Sequence, residues 1–343
     1  AVHKMASGGF GAGVKTRYEI TPLEALKNKI GDKVSITFVQ GYKSGFNQNQ
    51  QSRAGRLPNT KIDTTLLKEA VELARKSDIA IIFAGTNREY ETESSDRSDL
   101  KLPYGQDELI RAVATVNRRT VVVLVAASPL DLNNALNCSS AMLMSWFNGS
   151  EGGNAIADVL LGKVNPSGKL PFTFPVSLAD SPAFSLGTFP GDNNVEYKEG
   201  SLVGYRWFDT KKVKPLLPFG FGLSYTEFSY SGIKTDKIKY SSNEIINVSM
   251  ELKNTGKSDG DEVVQLYVHR LNSNVQWPEK ELKGFIRISL KAGESRRLTM
   301  TLPVSQLRYW NEKTHGWSLE SGNIQVMLGS SSSDIRLVKI IEI

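Results

Sequence analysis

Two periodicities predict an α/β sandwich, with an open and mainly parallel doubly wound sheet, followed by an all-β sandwich. In the first part, continuous apolar runs such as IAIIFA (79–84) and TVVVLVA (120–126) alternate with amphipathic helical stretches. Strands that are apolar on both sides belong in a parallel sheet covered by helices on both faces. From about residue 226 the apolar residues instead recur at every second position between turn signals, as in an antiparallel sandwich. The expected domains are therefore 1–225, ending in an extended connector, and 226–343 with about seven strands. A chain of 343 residues is long enough for both to have proper cores.

The elements follow in order. SGGFGAG (7–13) is a glycine loop; no strand precedes it and no Lys-Ser/Thr follows, which removes the phosphate-cradle reading. TPLEALKNKI (21–30) is a helix opened by Thr21 and Pro22. KVSITFV (33–39) alternates like a strand, and 41–60 is polar loop. TTLLKEAVELARKS (64–77) carries Leu67, Val71 and Ala74 on one stripe, with Thr64 or Asp63 as its cap. Next come the strand 79–84, a helix over 104–117 with Leu109, Val113 and Val116 on one side, and the strand 120–126. A short turn-and-helix segment, a strand over 141–147 and a helix in EGGNAIADVLLG, ended by Gly162, complete this part. Residues 175–225 are rich in Pro, Gly and aromatics without a period and read as connector. Beyond them the alternations are Ile246/Val248/Met250/Leu252, Val264/Leu266/Val268, Leu298/Met300/Leu302 and Ile324/Val326/Leu328. Turn signals stand at Lys257–Gly260, Ala292–Gly293 and Ser321–Gly322.

Composition narrows the function. The net charge of +6 comes from basic residues scattered along the chain, without a recognition helix or stacked aromatics, so no nucleic-acid partner is expected. No apolar run approaches the roughly 20 residues of a membrane span, so no membrane partner is expected either. The single cysteine, Cys138, permits no intrachain disulfide. His3, His269 and His315 have no ligand-like spacing with one another or with Cys138, and neither a metal nor a cofactor is expected. Asp259-Gly260-Asp261-Glu262 lacks the spacing of a calcium loop and reads as a hairpin turn. Trp146 and Trp207 lie in apolar contexts and read as core, whereas Tyr18 and Phe10, near the glycine loop, are candidates to line a pocket. The N-x-S sequons at Asn137, Asn148 and Asn247 matter only in a eukaryotic secretory pathway. The chain opens AVHKMASGGFGAG, without a charged-then-apolar signal segment; any targeting sequence is expected to have been removed or to belong to a longer precursor.

The candidate site is GTNREYETESSDRSDLKLPYGQDELI (85–110). Between an apolar strand and a helix it gathers Glu89, Glu91, Glu93, Asp96 and Asp99, against the basic Arg88, Arg97 and Lys101. Loops at the carboxyl ends of strands are where open α/β sheets place ligand chemistry. So many carboxylates repel one another, a cost that a catalytic role would explain.

The wording E-T-E-S-S-D-R-S-D-L-K-L-P-x-x-Q resembles the E-x-E-G-x-D-R-x-x-L-x-L-P-x-x-Q signature of family 3 glycoside hydrolases, the β-glucosidase and β-xylosidase group. SGGFGAGVKTRYEITPLEAL is similar to that family's glycine loop and S-P-L-E-G-I segment, and WFNGSEGGNAIADVLLGKVNPSGKLPFTFP to its W-Y-P-G-Q-E-G-G-x-A-I-A-D-V-L-x-G-x-x-N-P-S-G-K-L-P. YKEGSLVGYRWFDTKKVKPLLPFGFGLSYTEF resembles the family's connector, and DEVVQLYVHR…KELKGF…GESRRL its fibronectin type III-like domain. The chain departs from the pattern at Ser94, where a glycine is usual, at Ala126-Ala127-Ser128-Pro129, where G-x-P is usual, and at Asn148 in place of proline. These departures bear on loop shape and subsites. The family's N-terminal barrel, with its catalytic aspartate, is not in these residues.

The resemblance implies the C-terminal portion of a retaining β-glycosidase that acts on an oligosaccharide or an aryl or alkyl β-glycoside. It implies Glu93 as general acid/base, with Glu91 as the alternative if the loop slips in register, and Asp96 and Arg97 as braces. It leaves the sugar-binding residues and the choice of glucosyl or xylosyl unknown, implies no cofactor, and leaves a homodimer open. The expected partner is the barrel of the same parent protein, and the expected location is secreted or periplasmic. From another class, the same fold could serve as a non-catalytic carbohydrate-binding or structural module. Without a nucleophile or a strand ahead of the glycine loop, the isolated chain is expected neither to hydrolyse glycosides nor to stay stably monomeric.

Overall fold

A computed structural model of the chain describes residues 1–2, 16–44, 61–87, 90–91, 97–191 and 193–343. They form two compact units, Ala1–Val164 and Asn165–Ile343.

In the first unit a capping box starts helix α1, Pro22–Ile30. The Thr21 hydroxyl accepts from the Glu24 N–H at 3.3 Å, the Glu24 carboxylate accepts from the Thr21 N–H, and Pro22 fixes the first turn. Asp63, rather than Thr64, caps helix α2, Thr64–Arg75, accepting from the N–H groups of Thr65 at 3.0 Å and Leu66 at 3.2 Å. Replacing Asp63 with Ala should cost about 1 kcal/mol. It should lower the urea midpoint of the first unit at constant slope, and Asp63→Asn should recover most of the loss. A midpoint unmoved by Asp63→Ala would mean that the cap contributes nothing.

The chain continues through β1 (Ala80–Gly85), α3 (Gln106–Val116), β2 (Thr120–Val125), α4 (Asn133–Cys138), β3 (Ala141–Met144) and α5 (Gly152–Leu160). The three strands pair in parallel in the order β1-β2-β3, with Ala80 opposite Thr120 and Val121 opposite Ala141. Helix α3 lies against β1 and β2, α2 and α4 against α3, and α1 against α5. Val122, Val123 and Leu124 are fully buried, as the continuous apolar run requires. One expected strand is not in the ladder. Residues 33–39 belong to no sheet, and Val34 and Phe38 are 58% and 42% exposed. Alternation assigns side chains to two sides of an extended segment, but a strand exists only where a neighbour supplies backbone partners.

The second unit begins with the segment expected to be connector, which contains the short helices α6 (Pro182–Ser185) and α7 (Tyr205–Lys211). Leu202, Trp207 and Phe208 form a small core of their own, and the Trp207 indole donates to the Asp180 carbonyl at 3.1 Å. The Leu282 N–H donates to the Tyr205 hydroxyl and the Glu279 N–H to the Thr210 hydroxyl, both at 2.8 Å. Lys280 pairs with Asp209 at 2.9 Å. The break in packing therefore falls after Val164, with residues 165–225 joined to the β-sandwich.

The sandwich comprises β4 (Phe228–Thr235), β5 (Ile245–Asn254), β6 (Gly260–Arg270), β7 (Glu281–Leu290), β8 (Ser295–Pro303), β9 (Tyr309–Asn311), β10 (Gly316–Ser318), β11 (Asn323–Gly329) and β12 (Ile335–Glu342). Seven of these make its two antiparallel sheets, β12-β11-β6-β7 and β4-β5-β8. Every apolar alternation read from the sequence points into their shared core. Strands β9 and β10 form a separate antiparallel hairpin. The 259–262 stretch is a turn only in part: Gly260 opens β6, Asp261 pairs with Arg287, and Glu262 is buried against Lys169 at 3.0 Å.

Candidate active site

The site is rooted where β1 ends. Gly85 has φ +131°, and a Cβ there would stand 2.1 Å from the Val125 carbonyl oxygen. Only glycine lets the two strand ends lie this close. Beyond it, the Thr86 N–H donates to the Val125 carbonyl at 2.9 Å. The fully buried Gln106, first residue of α3, closes the root with both ends of its amide. Its Oε1 accepts from the Gly85 N–H at 2.6 Å and its Nε2 donates to the Gly85 carbonyl at 2.8 Å. Gln106 is the glutamine of the L-P-x-x-Q pattern; the motif marks it, but its partner lies 21 residues away.

The loop then turns back over the sheet end. The Tyr90 and Glu91 N–H groups both donate to the Asn87 carbonyl, at 3.0 and 2.8 Å, and Tyr90 is buried. The Glu91 carboxylate accepts from the Thr86 hydroxyl at 2.9 Å and from the Ser128 hydroxyl at 2.8 Å on Oε1 and 3.1 Å on Oε2. On the far side of the loop, the Arg97 guanidinium donates to the Pro129 carbonyl at 2.9 Å and lies 5.6 Å from the Tyr90 ring centre. The expected brace at Arg97 is thus present as a bond to backbone. Ser128 and Pro129, read from the sequence only as a departure from the family pattern, receive both stems.

The acid/base candidate Glu93, with Ser94 and Asp96, lies outside the described residues, as do Glu89, Arg88, Phe10 and the glycine loop. Asp99 accepts from the Lys101 N–H at 3.0 Å and belongs to the return of the loop. Beneath it Tyr42 stacks on Tyr104 with ring centres 6.2 Å apart, and burial pushes the Tyr42 hydroxyl up to about 12. Burial likewise pushes the Asp107 carboxyl, at the start of α3, up to about 6. Tyr18 is 54% exposed and donates to Glu151 at 2.7 Å. Trp146 is half-buried, whereas Trp207 is in the core. Among the described residues no group of three His, Cys, Asp or Glu side chains could hold a metal ion, and no helix is long and apolar enough to cross a membrane.

Comparison with known proteins covers both units. Residues 1–225 match the glycosyl hydrolase family 3 C-terminal domain, and residues 262–332 match a fibronectin type III-like domain. The chain is 45% identical over 321 residues to thermostable beta-glucosidase B of Acetivibrio thermocellus, covering 93% of this chain and 40% of that protein. It is similar to the crystal structure of the Bifidobacterium adolescentis GH3 beta-glucosidase, with TM-score 0.86, 36% identity, and 96% of this chain on 46% of that one. It is also similar to the Kluyveromyces marxianus beta-glucosidase in complex with glucose, with TM-score 0.77, 40% identity, and 82% of this chain on 33% of that one. The chain therefore spans less than half the length of these relatives. With its first 225 residues matched to that family's own C-terminal domain, the chain belongs to glycoside hydrolase family 3.

Proposed function

We propose that this chain is the C-terminal portion of a retaining, β-glucosidase-like glycosidase that releases terminal β-linked sugars from oligosaccharides or aryl and alkyl β-glycosides. One observation carries the reading: the acidic signature loop is tied at both stems to the carboxyl-terminal ends of parallel strands, on Ser128 and Pro129. Support for the sugar class comes from relatives described as beta-glucosidases. A retaining mechanism needs two carboxyl groups about 5–5.5 Å apart. Glu93 supplies one of them; the other, the nucleophile, comes from an N-terminal barrel of the same parent protein. In the first step the barrel carboxylate bonds to the anomeric carbon while the Glu93 carboxyl gives its proton to the departing glycosidic oxygen. In the second step Glu93, now a carboxylate, takes a proton from water as that water displaces the enzyme carboxylate.

The test is Glu93→Ala in the polypeptide that includes the barrel. Turnover of alkyl glucosides, whose leaving groups need protonation, should fall by roughly 10²–10⁴. Activated aryl glucosides should lose far less in the first step. Azide should restore part of the rate by attacking the glycosyl-enzyme without a base, giving a glycosyl azide. Uniform loss across substrates with no azide effect would remove Glu93 from this role, and the same signature in Glu91→Ala instead would move the role to Glu91.

A further inference from the structure

We infer that Glu91 is a positioning residue, and that the shelf formed by Ser128 and Pro129 sets the aim of the general acid. The inference rests on the reading of Glu93 given above. Residues 91 and 97 flank the segment that carries Glu93, and each is fastened to one of two consecutive residues just past β2. Glu91 takes the Ser128 hydroxyl and Arg97 gives to the Pro129 carbonyl. A third tie, Thr86 to Glu91, joins the same carboxylate to the end of β1. Both stems thus refer to one rigid point, because β1 and β2 are paired in continuous register from Ala80 to Gly85 and Gln106 locks the last pair.

The chemistry of Glu91 fits this role better than acid/base work. Its oxygens already accept three hydroxyl contacts from two donors, both supplied by the chain itself. A general acid must turn a proton outward to the substrate oxygen, whereas a carboxylate acting purely as an acceptor holds hydroxyls in place. Hydroxyl bonds to an ionised acceptor are among the stronger neutral-to-charged contacts, so the tie is suited to fixing a loop stem. A general acid works only within hydrogen-bond reach of the leaving oxygen, and a misplacement near 1 Å costs about a hundredfold.

The experiment removes the donors without touching Glu91 or Glu93, in the barrel-bearing polypeptide. Thr86→Val with Ser128→Ala deletes both hydroxyls; Thr86→Ser with Ser128→Thr keeps them. The deletion pair should lower kcat for alkyl glucosides on the order of tenfold to a hundredfold with KM little changed. In kcat/KM, which reports the first step alone, activated aryl glucosides should lose much less, and the alkaline limb of the pH profile should move. The hydroxyl-keeping pair should recover most of the loss, and thermal melting will show that each variant is folded. Equal loss of kcat/KM on all substrates, or no loss, would overturn the positioning role. Glu93→Ala is measured alongside. If it shows leaving-group dependence and azide rescue while the deletion pair behaves like the wild type, only the positioning inference falls. If it shows neither, the assignment of Glu93 falls and takes the inference with it.

Discussion

Gly85→Ala should cost the first unit about 3 kcal/mol or more, and the variant chain should be recovered mainly as aggregate. Two separate penalties meet at this residue. Its φ of +131° lies in a region that side-chain-bearing residues rarely adopt, at a cost of roughly 1–3 kcal/mol. The new methyl would also stand 2.1 Å from the Val125 carbonyl oxygen and 2.7 Å from its carbon, both backbone atoms inside a paired strand. Relief by moving β2 away would break the bond from the Thr86 N–H to that carbonyl and loosen the double clasp of Gln106. Overpacking of this kind adds about 1–3 kcal/mol. Far-UV circular dichroism during urea unfolding, with soluble yield as a second reading, will measure the effect. A loss under about 1 kcal/mol would mean that the two strand ends are not this close.

The second large effect is expected in the other unit. Lys169→Met should destabilise it by about 3–5 kcal/mol, because the buried Glu262 carboxylate would lose its direct ion-pair partner and keep only the longer-range attraction of Arg336. The ion pair is 3.0 Å long, with side-chain exposures of only 14% for Lys169 and 6% for Glu262. Lys169 also donates to the Gly222 carbonyl at 2.8 Å, so its loss frees a backbone acceptor as well. The companion change Glu262→Gln removes the stranded charge and should restore more than half of the stability. In a double-mutant cycle on urea midpoints the two changes should be strongly non-additive. Additive losses would show that the pair is solvated in solution and contributes little.

Lys169 and Glu262 also show where sequence reading stops. Glu262 sits in a cluster of acids between strands, and proximity in sequence assigned it to a turn. Its partner is 93 positions upstream, and nothing local to either residue announces the other. The strands of the sandwich were legible for the opposite reason. Ile246 to Leu252 and Ile324 to Leu328 carry their burial in an unbroken period of two, which needs no knowledge of the neighbour. The same rule overreached at 33–39, where the alternation is present but no neighbour pairs with it among the described residues. At the site, the acidic loop and its place after β1 could be read directly. The hydroxyls of Thr86 and Ser128 could not, since small polar residues near a loop are common and only the fold brings these two to one carboxylate. The connector was legible as aperiodic, but its allegiance to the second unit depends on distant contacts such as Tyr205 with Leu282.

Strand order in the second unit has a consequence for how quickly the chain is finished. The inner partner of β6 (Gly260–Arg270) is β11 (Asn323–Gly329), and β5 (Ile245–Asn254) pairs with β8 (Ser295–Pro303). A loop of about fifty residues for β6–β11, from Arg270 to Ile324, and about forty for β5–β8, from Lys253 to Ser295, must close before the ladder gains its first bond, and that entropy is lost before any contact repays it. The sheet of the first unit pairs strands adjacent in sequence, β1 with β2 and β2 with β3, each joined by a helix. Folding rates fall as contacts become more distant in sequence, so the sandwich should be the slow step, in the millisecond-to-second range typical of such folds. On a ribosome the first unit can complete while β6 still waits for β11. During that interval the apolar faces of β5 and β6 lie open, and protection by a chaperone would count most there.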